Sequence, residues 1–162
     1  MSTPARAATP QPLWFLDGLA YMHLEGDQTE GAYALGERIA RRGEMPPLHV
    51  HHRDDEAFYV LEGEVSLFVG DRHIVLTERQ AAVAPREVPH SYRVESDTAR
   101  WLLITNPAGF ERFVGAISEP AERDELPPPR RPADPARMAQ AAAEQGIEIL
   151  GPPGTVPAAA LE

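Results

Sequence analysis

The chain has 162 residues, a net charge of −10 and neither cysteine nor lysine. Its length suits one compact domain, and its charge disfavours nucleic acids and anionic lipid surfaces, which are bound mainly through clustered basic side chains. The missing residue types exclude disulfides, thiolate nucleophiles, cysteine zinc sites and lysine Schiff bases, so histidine and carboxylate chemistry remain.

The first segment in chain order, residues 1–12, lacks the apolar core of a signal peptide. No later apolar run reaches the roughly 18 residues of a membrane-spanning helix. We therefore expect a cytoplasmic protein with no nucleic acid or membrane partner and a flexible N-terminus at 1–12. A barrel with a capping helix is expected at 13–120, and a proline-rich connector, a helix and a tail at 121–162.

Short runs rich in β-branched and aromatic residues then alternate with turn signals, a pattern typical of an antiparallel sandwich or barrel. Asp17–Gly18, Glu62–Glu64 and Gly70–Asp71 supply turn residues. The predicted strands are Leu13–Leu16, Leu19–Glu25, Ala32–Arg41, Leu48–His51, Glu56–Leu61, Val65–Val69, His73–Leu76, Ala81–Ala84, Ser91–Glu95 and Arg100–Thr105.

Two helices are predicted after these strands. Apolar residues at i, i+3, i+4 and i+7 from Phe110 indicate a short amphipathic helix within Gly109–Ser118 that lies on the barrel. The second helix follows the stiff, proline-rich connector Leu126–Pro135, with Asp134 as its N-cap and Gly146 as its C-cap. We expect the last dozen residues to be disordered.

Polar residues concentrate in one stretch of the predicted barrel, GEMPPLHVHHRDDEAFYVLEG, residues 43–63. Alternate side chains of a strand point to opposite faces, so His49 and His51 share one face while His52 lies on the other. Further on, His90 belongs to the inward face of its strand, because its neighbours on the opposite face are polar. His23 and His73 are expected to be structural histidines.

Glu56 is the acid expected to reach the interior, because it shares strand parity with the apolar Phe58 and Val60. Asp54 and Asp55 are expected in a charged turn that reverses the chain. Three inward histidines and an inward carboxylate are costly to bury unless they are paired or coordinated.

A divalent metal bound by His49, His51, Glu56 and His90 would satisfy all four groups and, in a six-coordinate ion, leave two positions for substrate or dioxygen. This ligand set accepts iron, manganese, nickel, cobalt or zinc. The alternative is a set of structural histidines hydrogen-bonded in the core, since a bare His-X-His pattern is compatible with either.

The stretch 43–63 resembles the first motif of the cupin superfamily at every position. The matching residues are Gly43, His49, His51, Glu56 and Gly63. The second cupin motif is kept in part: Pro85 and His90 stand in their places. Arg79 and Glu87 replace glycines that would allow positive φ without strain, and Val94 replaces an asparagine.

Residues 12–150 resemble the small, single-domain, bacterial quercetinase-like cupins. The resemblance implies an all-β fold, the cupin double-stranded β-helix, a conical antiparallel barrel or jelly roll, with short C-terminal helices. It also implies one divalent metal and dioxygen-dependent cleavage of the central ring of a flavonol, or of a related enolic aromatic, with loss of carbon monoxide. Glu56 would then be both metal ligand and proton acceptor.

Further expectations concern the substrate and the partners. Phe58 and Tyr92 each share a face with a proposed ligand and are predicted to line the substrate pocket. Related cupins pair subunits through an N-terminal strand, so the apolar, uncovered strand Leu13–Leu16 predicts a homodimer. Two alternatives stay open: a redox-silent metal-dependent cupin, such as a polyketide cyclase or isomerase, and a non-catalytic cupin that binds a small ligand.

Overall fold

A computed structural model of the chain describes residue 7, residues 9–129 and residues 133–161. Its described residues include twelve β-strands, two α-helices and a final 3-10 helix at Ala158–Leu161. The strands are β1 (Leu13–Phe15), β2 (Gly18–Leu24), β3 (Ala34–Arg41), β4 (Pro47–His51), β5 (Asp55–Glu62), β6 (Val65–Val69), β7 (Arg72–Leu76), β8 (Ala81–Ala84), β9 (His90–Val94), β10 (Thr98–Asn106), β11 (Glu119–Pro120) and β12 (Ile147–Pro153). The helices are α1 (Phe110–Ile117) and α2 (Pro135–Glu144).

The strands form two antiparallel sheets that share one apolar core. The larger sheet has the order β11-β1-β2-β3-β10-β5-β8, and the smaller has the order β12-β4-β9-β6-β7. Phe58 and Trp101 from the larger sheet pack with Leu67 and Val94 from the smaller one, and all four are almost fully buried. Strand alternation therefore directs one face of each sheet inward, as the sequence pattern predicts.

A second apolar cluster joins the two helices to the barrel. Phe113 and Val114 of α1 pack with Met138 and Ala142 of α2 and with Phe15 of β1. The carboxylate of Asp134 accepts a hydrogen bond from the Ala136 backbone N–H at 3.0 Å, which is the predicted N-cap. No helix in the described part of the chain is long and apolar enough to cross a membrane.

The structure confirms the predicted β fold and adds two strands to it, β11 and β12. Each of the ten predicted strands and both predicted helices are present, with bounds shifted by at most two residues at either end. The expectation of a disordered tail is wrong over residues 151–153, the end of β12, which pairs with the otherwise free edge of β4, and over the 3-10 helix Ala158–Leu161. Residues 130–132 of the predicted connector, and residues 1–6 and 8 of the predicted flexible N-terminus, lie outside the described residues.

Strand β1 is not the uncovered edge that the sequence suggested. Leu13 lies opposite Ala20 of β2 on one side and opposite Pro120 of β11 on the other. The edge-strand reason for a homodimer is therefore absent in this fold, and the homodimer itself stays a prediction.

Two non-glycine residues occupy the turns where the second cupin motif has glycine. Arg79 has φ 66° and Glu87 has φ 65°, both in the left-handed region. Backbone hydrogen bonds hold them there, from Arg79 N–H to the Val60 carbonyl at 2.9 Å and from Glu87 N–H to the His51 carbonyl at 2.8 Å. The turns thus keep a conformation that suits glycine, at a cost in backbone strain.

Candidate metal centre

Three strands bring the four predicted ligands together. His49 and His51 lie on β4 and His90 on β9, where His49 and His90 are direct cross-strand partners. Glu56 comes from β5 of the opposite sheet. One ligand atom from each of these four side chains lies within 4.8 Å of all the others. The cluster therefore sits between the sheets, at the inward positions that strand parity predicts.

Each histidine ring is held through its Nδ1 atom. Nδ1 of His49 is 2.7 Å from the Pro47 carbonyl, and Nδ1 of His90 is 3.0 Å from the Val88 carbonyl. A carbonyl oxygen only accepts hydrogen bonds, so both Nδ1 atoms carry the hydrogen, and a neutral ring then leaves the Nε2 lone pair free. This is the tautomer in which histidine binds a metal through Nε2.

Asp54 holds the third ring. Its carboxylate oxygen is 2.8 Å from Nδ1 of His51, and its side chain is buried. Asp54 follows the bend at residues 52–53, as the predicted turn requires, but its carboxylate is directed inward and does more than charge a turn. Asp55 instead begins β5 and pairs at the surface with Arg86. The three-residue spacing from His51 to Asp54 is the sequence signal for this contact.

Polar atoms converge at the centre of the cluster. Nε2 of His51 is buried and has no hydrogen-bond partner among the described residues. Glu56 Oε2 lies 3.0 Å from Nε2 of His90 and 3.7 Å from Nε2 of His51. Three histidine nitrogens and a carboxylate directed at one point can all be satisfied by one cation, so the residues fit a divalent metal.

Burial and mutual charge set the protonation of the cluster. Burial alone would raise the pKa of the Glu56 carboxyl, but the neighbouring His51 and the hydrogen-bonded His90 lower that pKa to about 2. Burial, together with His90 and His51 close by, lowers the pKa of His49 to about 3. At neutral pH the carboxylate is therefore ionised and His49 is neutral, the forms that coordinate a metal.

A cavity adjoins the cluster and is lined by His49 and Glu56. Most of its wall is apolar, including the aromatic rings of Phe15, Phe110 and Phe113. Such a cavity suits a hydrophobic ligand whose polar atoms face the cluster.

The two predicted pocket residues have different places. Tyr92 lines the cavity, whereas Phe58 lies in the core with only 1% of its surface exposed and contacts the Tyr92 ring edge-on at 6.0 Å. Phe58 shares the inward face with Glu56, but residues further along β5 lie deeper between the sheets. Strand parity identifies the inward face without giving the depth.

A buried ion pair, which the sequence pattern does not indicate, holds the Tyr92 hydroxyl in place. Glu44 Oε1 accepts hydrogen bonds from the Tyr92 hydroxyl at 3.1 Å and from the Arg38 guanidinium at 2.8 Å. Burial, and then the charge of Glu44, raise the pKa of the Tyr92 hydroxyl well above its ordinary value. Tyr92 therefore stays protonated as a hydrogen-bond donor, which leaves Glu56 as the ionised acid of the cavity wall.

The other histidines lie outside the cluster. His52 is exposed and lies 2.9 Å from carboxylate oxygens of both Glu87 and Glu148. His73 stacks on Phe68 with ring centroids 4.5 Å apart. His23 lies 2.7 Å from Glu37. These contacts agree with the structural roles expected for His23 and His73.

Comparison with known proteins places the cluster within a known family. The cupin domain model matches residues 37–105, a range that includes all four cluster residues. Quercetin 2,3-dioxygenase of Bacillus subtilis is 32% identical over 111 residues, which are 67% of this chain and 33% of that protein. The chain therefore spans about a third of the length of this curated relative.

Solved structures share the fold at low sequence identity. A predicted oxalate decarboxylase from Thermotoga maritima has a TM-score of 0.56 and 13% identity, covering 64% of this chain and 99% of that one. An RmlC-like cupin from Shewanella frigidimarina has a TM-score of 0.55 and 18% identity, covering 67% of this chain and 96% of that one. At these identities the likeness concerns the fold alone.

Proposed function

Since the chain belongs to the cupin superfamily and is related to a quercetin dioxygenase, we propose that it is a metal-dependent dioxygenase. Its proposed substrates are dioxygen and a flavonol, or a related enolic aromatic. One observation carries the proposal: Glu56 belongs both to the histidine cluster and to the wall of an apolar cavity. The groups that would bind a metal therefore face the space that would hold an aromatic substrate.

His49, His51, Glu56 and His90 would hold one divalent ion, which when bound supplies a Lewis acid that lowers the pKa of an enolic hydroxyl. Iron, manganese, nickel, cobalt and zinc all suit this donor set, so the residues do not select among them.

Glu56 is the proposed proton acceptor. Its carboxyl has a pKa of about 2, so it is ionised at neutral pH and ready to accept a hydrogen bond from a substrate hydroxyl. A carboxylate with such a low pKa is a weak base, and it takes a proton only from a hydroxyl that is itself made acidic. The cavity favours this transfer, because its apolar wall excludes water that would compete for the proton.

Elemental analysis followed by oxygen-electrode assays tests the proposal. Protein purified without added metal is analysed, reconstituted with each candidate metal, and assayed with a panel of flavonols and polyketides. Dioxygen uptake matched by flavonol loss and carbon monoxide release supports the proposed reaction. Substrate conversion without dioxygen uptake would instead indicate a redox-silent cupin such as a cyclase or isomerase, and binding without turnover a non-catalytic cupin.

A further inference from the structure

The segment Pro135–Pro153, here called the C-terminal arm, consists of α2 and β12 and lies against the candidate metal centre. Strand β12 runs antiparallel to β4, with Ile149 opposite His49 and Ile147 opposite His51. Directly opposed residues place their side chains on the same face of a sheet. Two apolar side chains of the arm therefore lie beside two of the cluster histidines.

Polar contacts at the start of β12 fix the arm to the same strand. The backbone N–H of His52 donates to the Gly146 carbonyl at 2.8 Å, and the His52 ring lies 2.9 Å from a Glu148 carboxylate oxygen. The Arg137 guanidinium donates to the Ala116 carbonyl at 3.1 Å, which also ties α2 to α1. The arm is thus positioned by hydrogen bonds as well as by apolar packing.

The arm forms a continuous part of the cavity wall. Met138 and Ala142 from α2, with Ile147 and Ile149 from β12, line the cavity that also contacts His49 and Glu56. All four arm residues lie beyond residues 37–105, the range that the cupin domain model matches. The cluster therefore comes from the matched domain, whereas this apolar wall comes from a segment outside it.

We propose that the C-terminal arm is the substrate-selecting wall of the cavity. Its side chains contact the apolar body of a ligand whose oxygen atoms face the cluster, and they limit the size of that body. This inference rests on the proposed function for its ligand class, an aromatic molecule with an enolic oxygen. A wall without polar groups distinguishes ligands by shape, and a change of one or two carbon atoms in such a wall typically alters discrimination by roughly 10- to 200-fold.

Ile149 offers the sharpest test, because its neighbour provides a matched control. Ile149 is half-buried and lines the cavity, whereas Leu150 is 44% exposed on the same strand. Ile149→Phe enlarges the side chain and narrows the cavity, and Ile149→Ala shortens the side chain and widens the cavity. Leu150→Phe adds the same ring at an exposed position. The probes are the unsubstituted flavonol, 3-hydroxyflavone, and maltol. Both contain a chelating hydroxypyranone, but only the flavonol carries additional aromatic rings.

Each variant is loaded with cobalt(II), and both probes are titrated while the visible absorption of the cobalt is followed. Ile149→Phe should weaken flavonol binding at least about tenfold and maltol binding less than about threefold, as expected for a size filter. Ile149→Ala should weaken flavonol binding through lost contact and leave maltol binding unchanged. Leu150→Phe should change neither, and cobalt stoichiometry and melting temperature report whether each variant is folded.

Equal loss of both probes in the Ile149 variants, or no change for either, would overturn the inference. Its failure is distinguishable from failure of the proposed function. Size-selective flavonol binding without dioxygen uptake would support the arm as the selecting wall and contradict the proposed dioxygenase activity. If dioxygen is taken up with flavonol as substrate and neither Ile149 variant changes this uptake, the dioxygenase activity is supported and the selecting role of the arm is contradicted.

Discussion

At the scale of single residues, the histidine cluster owes its chemistry to hydrogen bonds made away from its centre. The Nδ1 atoms of His49, His51 and His90 lie 2.7–3.0 Å from acceptors, so each ring directs Nε2 inward. A ring fixed in this way loses little freedom when Nε2 binds a metal.

The first prediction concerns the ligands themselves. His49→Ala, His51→Ala and His90→Ala should each abolish stoichiometric metal binding, since each removes one nitrogen from a four-atom donor set. His52→Ala and His73→Ala should keep it, because both rings lie outside the cluster. Metal content measured on purified variants checks this, and full occupancy in the His90 variant would contradict the four-ligand model.

A second prediction separates two adjacent acids. Asp54→Asn should weaken metal affinity by roughly 10- to 100-fold, because it replaces the carboxylate that orients His51 without removing a ligand. Asp55→Asn is the matched control, since Asp55 pairs with Arg86 at the surface. Competition with a chromogenic chelator measures both affinities, and equal values for the two variants would show that Asp54 does not orient the ring.

The third prediction tests the proposed base. Glu56→Gln keeps the size of the side chain and a carbonyl oxygen for the metal but removes the proton acceptor. Turnover of a confirmed substrate should fall by roughly 10²- to 10⁴-fold while metal is retained. Metal content and rate are measured on the same preparations. An unchanged rate across the pH range would leave Glu56 as a ligand only.

At the scale of elements, the turn between β7 and β8 keeps a left-handed residue without glycine. Arg79 has φ 66°, and its backbone N–H donates to the Val60 carbonyl at 2.9 Å. A left-handed conformation costs an L-residue about 1–2 kcal/mol. The cross-strand hydrogen bond and the packing of both flanking strands offset that cost, so the chain retains the turn.

Substitutions of arginine by glycine should therefore have opposite effects at two sites. Arg79→Gly should raise the free energy of unfolding by about 0.5–1 kcal/mol, since relief of strain exceeds the added entropy of the unfolded chain. Arg72→Gly, at an exposed position in β7, should lower it by about 0.5–1 kcal/mol. Urea denaturation with unchanged m-values measures both, and a destabilised Arg79→Gly variant would contradict the strain argument.

At the scale of the whole molecule, the cluster joins the two sheets. Glu56 belongs to the larger sheet, and His49, His51 and His90 belong to the smaller one. A metal bound there would link both halves of the barrel, and the four ligands are close together only in the folded state. Ligands that bind only the folded state stabilise it by mass action.

Metal removal should therefore lower the melting temperature. Free metal at 100 times its dissociation constant contributes about 2.7 kcal/mol, which corresponds to a shift of about 5–10 °C for a domain of this size. Differential scanning calorimetry before and after chelation, and after metal is restored, measures the shift. The His90→Ala variant should show no such shift. An unsubstituted protein whose melting temperature is the same with and without metal would contradict metal binding across the sheets.

The sequence by itself determined the strands and the four residues of the cluster. Alternation and turn residues are local properties, so β1 to β10 and both helices could be predicted from short windows. The spacing of His49, His51 and Glu56 made the resemblance specific, and strand parity placed His90 inward.

Only the tertiary structure decided what surrounds that cluster. The burial of Asp54, the burial of the ion pair between Arg38 and Glu44, and the pairing of β12 with β4 depend on which distant segments cover these residues. Ile149 lies about a hundred positions after His49, yet the two are direct cross-strand partners. Local patterns report which face of a strand is apolar, whereas the neighbour that covers this face is chosen by packing of the whole chain.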